Sequence, residues 1–243
     1  PLGIYWGAET DGVYSSWEEA NASGIAGAAP GEIRYINHHV DLDDSGQPLE
    51  IQEINFDDYV KIGDPNPDFT YSISNNFTYK NWDASILFTG QKGGDLFWVD
   101  SWQLSGLQKT TNILSSSYAN SWIAPLYYEN GNYIYDESVG NLNSVNHPGA
   151  MIETGSRAIS SDRNIFDGSF VRLKNINVGY NFDLKDGKNM RVYLAGQNLV
   201  VWTDYPGYDP EVRTYTKNPQ KRGVDFGTYP GTRSLLLGLK FNY

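Results

Sequence analysis

The stretch VDLDDSGQPLE sets Asp41, Asp43, Ser45 and Gly46 at the first, third, fifth and sixth positions of a calcium-loop spacing, in which hard oxygen ligands converge around a glycine turn. The twelfth position is Gln52, so the bidentate carboxylate that closes such a loop is missing, and Glu53, Asp57 or Asp58 would replace it only in a different loop geometry. The spacing therefore offers two readings, a calcium site on Asp41, Asp43 and Ser45 or a solvated acidic turn. His38 and His39 are adjacent, and neighbours on a strand point to opposite faces and cannot ligate one ion. The carboxylate neighbours Glu18–Glu19, Asp43–Asp44 and Asp57–Asp58 do not make a glycosidase pair, which needs two carboxyl groups about 5 to 9 Å apart across a cleft. There is no nucleophile elbow and no HExxH, and QKGGDLF lacks the Lys-Ser/Thr of a phosphate-binding loop. The expectation is a non-enzyme that requires no cofactor, with calcium the one ion its residues suggest.

Trp98, Trp102, Trp122, Tyr127 and Tyr128, with Tyr133 and Tyr135 close behind, crowd a single long connection. Aromatic planes stack on sugar faces and on peptide side chains, which makes these residues a candidate ligand or partner surface. Packing of a long loop on itself is the competing reading.

The elements that must position these residues are strands. In 243 residues, 29 acids outnumber 18 bases for a net charge of −11, which argues against nucleic acid as a partner. Without cysteine there is no disulfide scaffold or thiolate chemistry. No run approaches the roughly 18 apolar residues of a spanning helix, and the opening PLGIYWG, without initiator Met or signal peptide, reads as an internal start. Aromatics at 14% and 25 glycines fit an all-β protein with amphipathic girdles.

In PDFTYSISNNFTYKNWDASILFTGQ, Phe69, Tyr71, Ile73, Phe77 and Tyr79 alternate with polar residues, as do Trp82, Ala84, Ile86 and Phe88, and Lys80-Asn81 between them reads as a tight hairpin turn. A second hairpin runs through FVRLKNINVGYNF and NMRVYLAGQNLVVW, with Ile176, Val178, Tyr180 and Phe182 on one face. Arg172 and Lys174 have the parity of that face and are expected near its external end, at or above a membrane interface. In the closing TRSLLLGLKFNY, Leu235, Leu237, Leu239, Phe241 and Tyr243 share a face. With an opening strand over about residues 2 to 12, roughly six strands are expected, each long enough to cross a bilayer. Their connections alternate, two short and three long, as in outer-membrane barrels with short periplasmic turns and long external loops. The long connections carry structure of their own: SSWEEANASG reads as a short helix capped by Ser15 or Ser16, and WVDSWQLSGLQKTTNILSSSY as helical in part.

The stretches GIYWGAETDGVYSSWEEANAS, PGEIRYIN, IGDPNPDFTYSISNNFTYKNWDASILFTGQKGGDLF, GSFVRLKNINVGYNF, RVYLAGQNLVVWTDYPGYDPEV and DFGTYPGTRSLLLGLKFNY resemble, in order, the C-terminal region of SusC-like TonB-dependent transporters. The resemblance covers nearly the whole chain and is weakest between about residues 95 and 165. It implies an all-β, antiparallel transmembrane barrel of 22 strands in the outer membrane of a Gram-negative bacterium, of which residues 1–243 supply about the last six strands with long extracellular loops. It further implies an N-terminal plug and a TonB contact, neither of which this sequence contains, so the chain reads as a fragment or as one piece of a split transporter. The implied function is import of oligosaccharides or peptides with a SusD-like surface lipoprotein as partner. Outer-membrane lipid would lie against the barrel wall, and the Leu235–Tyr243 face would be the membrane-facing final strand. The alternative from another class is a secreted, soluble β-rich domain that binds or hydrolyses carbohydrate. GYDPEV, residues 207–212, matches a motif of an external loop of the family, and its Pro210 and Asp209 favour a rigid turn.

Overall fold

The structure is a computed structural model that describes residues 3–101, 104, 112–136, 140, 160–212 and 221–242. Its elements in chain order are β1 (Tyr5–Gly7), β2 (Thr10–Val13), α1 (Trp17–Ala22), β3 (Ile33–Tyr35), β4 (Val60–Gly63), β5 (Pro67–Tyr79), β6 (Trp82–Gly93) and β7 (Asp95–Trp98). They continue with α2 (Ser115–Asn120), β8 (Leu126–Glu129), β9 (Asn132–Tyr135), β10 (Ile165–Asp167), β11 (Phe170–Asp183), β12 (Asn189–Thr203), β13 (Val224–Asp225) and β14 (Ser234–Asn242). The chain divides into two units, Pro1–Asp64 with Phe97–Ile165, and Pro65–Leu96 with Phe166–Tyr243.

The second unit is built on a five-stranded antiparallel sheet in the order β14-β12-β11-β6-β5, so each of these five strands pairs with the next of the five along the chain. Alternation along most of these 9- to 15-residue strands favours this arrangement, because it gives each a mainly apolar and a mainly polar face and pairing in register keeps like with like. Ile73 pairs with Phe88, Val178 with Ala84 and Leu194, and Leu237 with Leu194, which carries one apolar face across the sheet. On the other face Asn177 pairs with Ser85, and Asn76 with Ser85 from the far side. The β5–β6 turn is only Lys80 and Asn81, with Lys80 at φ +53, and the Asn81 side chain donates to the Asn181 carbonyl at 2.7 Å. Residues 184–188 make the other short turn, whereas β6 and β11, and β12 and β14, are joined by long connections at the opposite end.

The expected count of six strands in this sheet is corrected to five. Residues 2 to 12 do not form a long strand: β1 pairs with β4 and β2 with β3, and between them Ala8 N donates to Ser160 O at 2.9 Å. A Cβ on Gly7 would stand 2.5 Å from that same Ser160 oxygen, so the glycine permits an approach that commits the segment elsewhere.

The first unit packs Ala8, Ile33 and Tyr35 with Ile54 and Tyr59 into a small core. Helix α1 begins where SSWEE predicts: Ser16 is the N-cap, its hydroxyl accepting from Glu19 N at 3.2 Å, and Glu19 Oε2 accepts from Ser15 N at 2.8 Å. Of the second expected helix, α2 covers Ser115–Asn120, and most of residues 102–111 lie outside the described residues.

Candidate functional site

Parity alone fails at one place in β11, and there the polar face gains its most buried charges. Register shifts between Leu173 and Asn175, so Ile176 pairs with Ile86 while Arg172 pairs with Thr89, on the polar face. The expectation that Arg172 and Lys174 lie on the face of Ile176, Val178 and Tyr180 is therefore wrong. A β-bulge inserts one residue and reverses the alternation beyond it. Arg172, 3% exposed, donates from Nη2 to Asp209 Oδ1 at 2.6 Å, and its Nε lies 2.7 Å from Glu211 Oε2, an ion pair by distance but not a directed hydrogen bond. Lys174 Nζ is 3.5 Å from the same Glu211 oxygen.

Asp209 also accepts from Glu211 N and Gly231 N, each at 2.9 Å, so one carboxylate joins β11 to both ends of the connection before β14. A second tie lies beside it. Tyr205 Oη donates to buried Asp225 at 2.6 Å, and Asp225 accepts from Thr228 N at 2.7 Å. Beside these ties is a cavity of about 470 Å³ lined by Thr70, Gln91, Phe170, Lys174, Glu211 and Arg222. Hydroxyls, an amide, an aromatic ring and charges of both signs suit a polar, multifunctional ligand rather than an apolar one. Nearer the short turns, Arg191 donates to Asp83 through Nε at 3.0 Å and through Nη2, and to Asn177 Oδ1 at 2.7 Å, while its guanidinium lies 4.8 Å from the Tyr193 ring centre.

The opposite face has the chemistry of a lipid contact. Trp82, Tyr180 and Phe182 form edge-on contacts at 4.9 and 4.7 Å near the short turns, in a row that Tyr79 and Phe241 extend by register. Toward the long connections Phe69 and Tyr71 stand 6.0 Å apart, and Phe88 and Trp202 6.5 Å apart. Phe69 and Tyr79 are ten residues apart on β5, roughly 33 Å along the strand and about 25 Å once tilted by ~40°, the height of a bilayer's apolar band. Between the belts, Leu235 and Leu237 are both 72% exposed.

The other sequence candidates are placed as follows. Leu235, Leu237, Leu239 and Phe241 share the apolar face of β14, and Tyr243 lies outside the described residues. Trp98 and Trp122 are 5% and 8% exposed, which at these two positions favours packing of the long connection on itself, the second of the two readings, since a connection this long needs apolar anchors of its own. Tyr127 and Tyr128 belong to the β8–β9 hairpin, and Trp102 lies outside the described residues. Asp43 Oδ1 accepts from Ser45 N at 2.8 Å and Gln47 N at 2.9 Å, and Asp41 Oδ2 turns to Glu53 N at 2.9 Å. Among the described residues, no three His, Cys, Asp or Glu side chains gather as a metal-binding group. Arg172 as a partner of GYDPEV was missed, although two cations at the parity of an apolar face were themselves the signal of a bulge.

A meander with one polar face, one apolar face bounded by two aromatic belts, and short turns at one end is the wall of a transmembrane β-barrel. No protein-family model matches the chain. It is similar over its whole length to TonB-dependent receptor P3 of Formosa agariphila at 34% identity, and over 99% of its length to TonB-dependent receptor P26 of that organism at 27%. Over 46% of its length it is 31% identical to TonB-dependent receptor SusC of Bacteroides thetaiotaomicron. The chain belongs to the SusC-like TonB-dependent receptors as a segment of barrel, and it spans 22% of the length of P3 and of P26. In fold it is similar to the RagAB peptide transporter, with a TM-score of 0.65 at 17% identity over 98% of this chain and 22% of that one. The RagAB peptide importer in its open-open state gives a TM-score of 0.60 at 16% identity, over 99% and 22%.

Proposed function

We propose that this chain is wall and external loop of an outer-membrane importer that carries oligosaccharides or peptides inward and works with a SusD-like surface lipoprotein. It belongs toward the C-terminal end of the barrel. The plug and the TonB contact, through which energy reaches the importer, come from parts of the receptor outside this chain. The observation that carries the reading is the five-stranded sheet, whose apolar face is bounded by aromatic belts while its polar face holds Arg172, Asp83 and Arg191 with their partners. In this reading the residues bind and guide cargo, and the protein acts as a transporter rather than as an enzyme. The peptide transported by RagAB, which this chain resembles in fold, supports a peptide as cargo, and the likeness to SusC supports the family's nutrient-uptake role.

The test is uptake by cells carrying the full-length receptor, with labelled peptide and oligosaccharide pools offered separately and TonB present or deleted. Accumulation of one pool that needs both receptor and TonB is the expected result. Uptake of both pools unchanged by deleting the receptor would overturn the reading.

A further inference from the structure

The surface around residues 40–57 is turned inside out. Between Tyr35 and Val60 the sequence holds seven acids and no Lys or Arg. Several of those carboxylates bind their own backbone: Asp58 is fully buried and accepts from His38 N, His39 N and Asn55 N, each at 2.9 Å. Asp43 and Asp41 hold the turn through Ser45, Gln47 and Glu53 as described above, and Gln52 Nε2 donates to Leu49 O at 2.6 Å. With these carboxylates turned to its own backbone and Gln52 tied by backbone bonds to Gly24 and Ala26, the segment leaves apolar side chains outside. Val40, Leu42, Leu49, Ile51 and Phe56 are all exposed, Ile51 by 61% and Phe56 by 84%. Exposed Asp44, Glu50, Glu53 and Asp57 stand among them in sequence.

We propose that residues 40–57 form a preorganised docking surface for a protein whose matching face is apolar at its centre and rimmed with Lys and Arg. Apolar side chains held outward on a hydrogen-bonded loop lose little further freedom on binding, which is what makes such a surface effective. The acid content selects the partner: it steers a basic face toward the loop and repels both an anionic membrane surface and nucleic acid. The spacing that suggests calcium thus has another use, since Asp41 and Asp43 stiffen the platform. The inference rests on the reading that a surface lipoprotein works with this receptor, and it gives that lipoprotein a contact and a chemistry.

The experiment uses the full-length receptor co-expressed with a tagged SusD-like lipoprotein and purified in detergent. Ile51→Asp with Phe56→Asp is compared with the conservative Ile51→Val with Phe56→Leu, and separately with Glu50→Lys plus Glu53→Lys. The expected result is at least about tenfold less lipoprotein retained by the Asp variant at equal receptor abundance, full retention by the conservative pair, and a weaker salt dependence in the Lys variant. Unchanged retention by the Asp variant would overturn this surface while leaving the partnership standing. Loss of folded receptor in the Asp variant alone would overturn it too, by showing that the receptor's own remaining segments cover the patch. Absence of lipoprotein from the unmutated receptor would overturn both this inference and the partnership.

Discussion

Arg172 is where one side chain decides the most. Its guanidinium is buried against Asp209 and Glu211, and removing one member of a buried pair costs about 3 to 5 kcal/mol, because the remaining charge loses its partner in a poorly solvated place. Arg172→Met in the full-length receptor should therefore loosen the connection from residue 204 to 233, read as faster tryptic cleavage at Lys221 and Arg222. Arg172→Lys should rescue little, because an ammonium cannot present the guanidinium's fork to two carboxylates. Asp209 was legible in GYDPEV as a turn residue, but its partner was not. Counting by twos from Ile176 back to Arg172 assumes an unbroken pleat, and a single inserted residue invalidates the count without leaving a mark in composition.

At the level of elements, the same insertion gives a second prediction. Deleting Lys174 should remove the bulge and leave Arg172 opposite Thr89, whereas one alanine inserted before Lys174 should rotate Phe170–Leu173 and send Arg172 to the lipid side, where a cation costs from about 0 to 4 kcal/mol depending on depth. Lys174→Ala keeps the chain length, so it should assemble normally while the insertion lowers heat-modifiable barrel at the cell surface. Helix α1 supplies a third. The Glu19 carboxyl is held below its ordinary 4.5, first by the Ser15 backbone N–H and further by the Ser15 hydroxyl and Arg34, against the opposing pull of burial. A depressed carboxyl stabilises fully above its unfolded value, and that contribution fades as pH falls through the lowered value in the fold. Amide protection across Trp17–Ala22 should thus drop on acidification below 4.5 in the natural sequence and lose that dependence in Glu19→Gln. The long strands were legible because alternation over a dozen residues has few rival explanations. The opening run was not, because its partners β3, β4 and Ser160 lie far along the chain and no local pattern announces them.

As a whole molecule, five strands cannot close a barrel, and among the described residues β5 and β14 each pair on one side only. The chain expressed alone should need detergent to stay monodisperse, since it offers both an apolar band and two strand edges to other copies. Light scattering that showed a monomer in plain buffer would contradict the barrel-wall assignment. The long connection between β12 and β14 has a different consequence. Its base is cross-tied twice, Tyr205 to Asp225 and Asp209 to Gly231, with the two ties interleaved along the chain. Among the described residues between Val212 and Val224, none supplies a group to either tie. The wall therefore carries a socket into which lineages can plug different sequences, so that what the receptor displays to its surroundings can diversify under selection while the strands beneath it stay as they are.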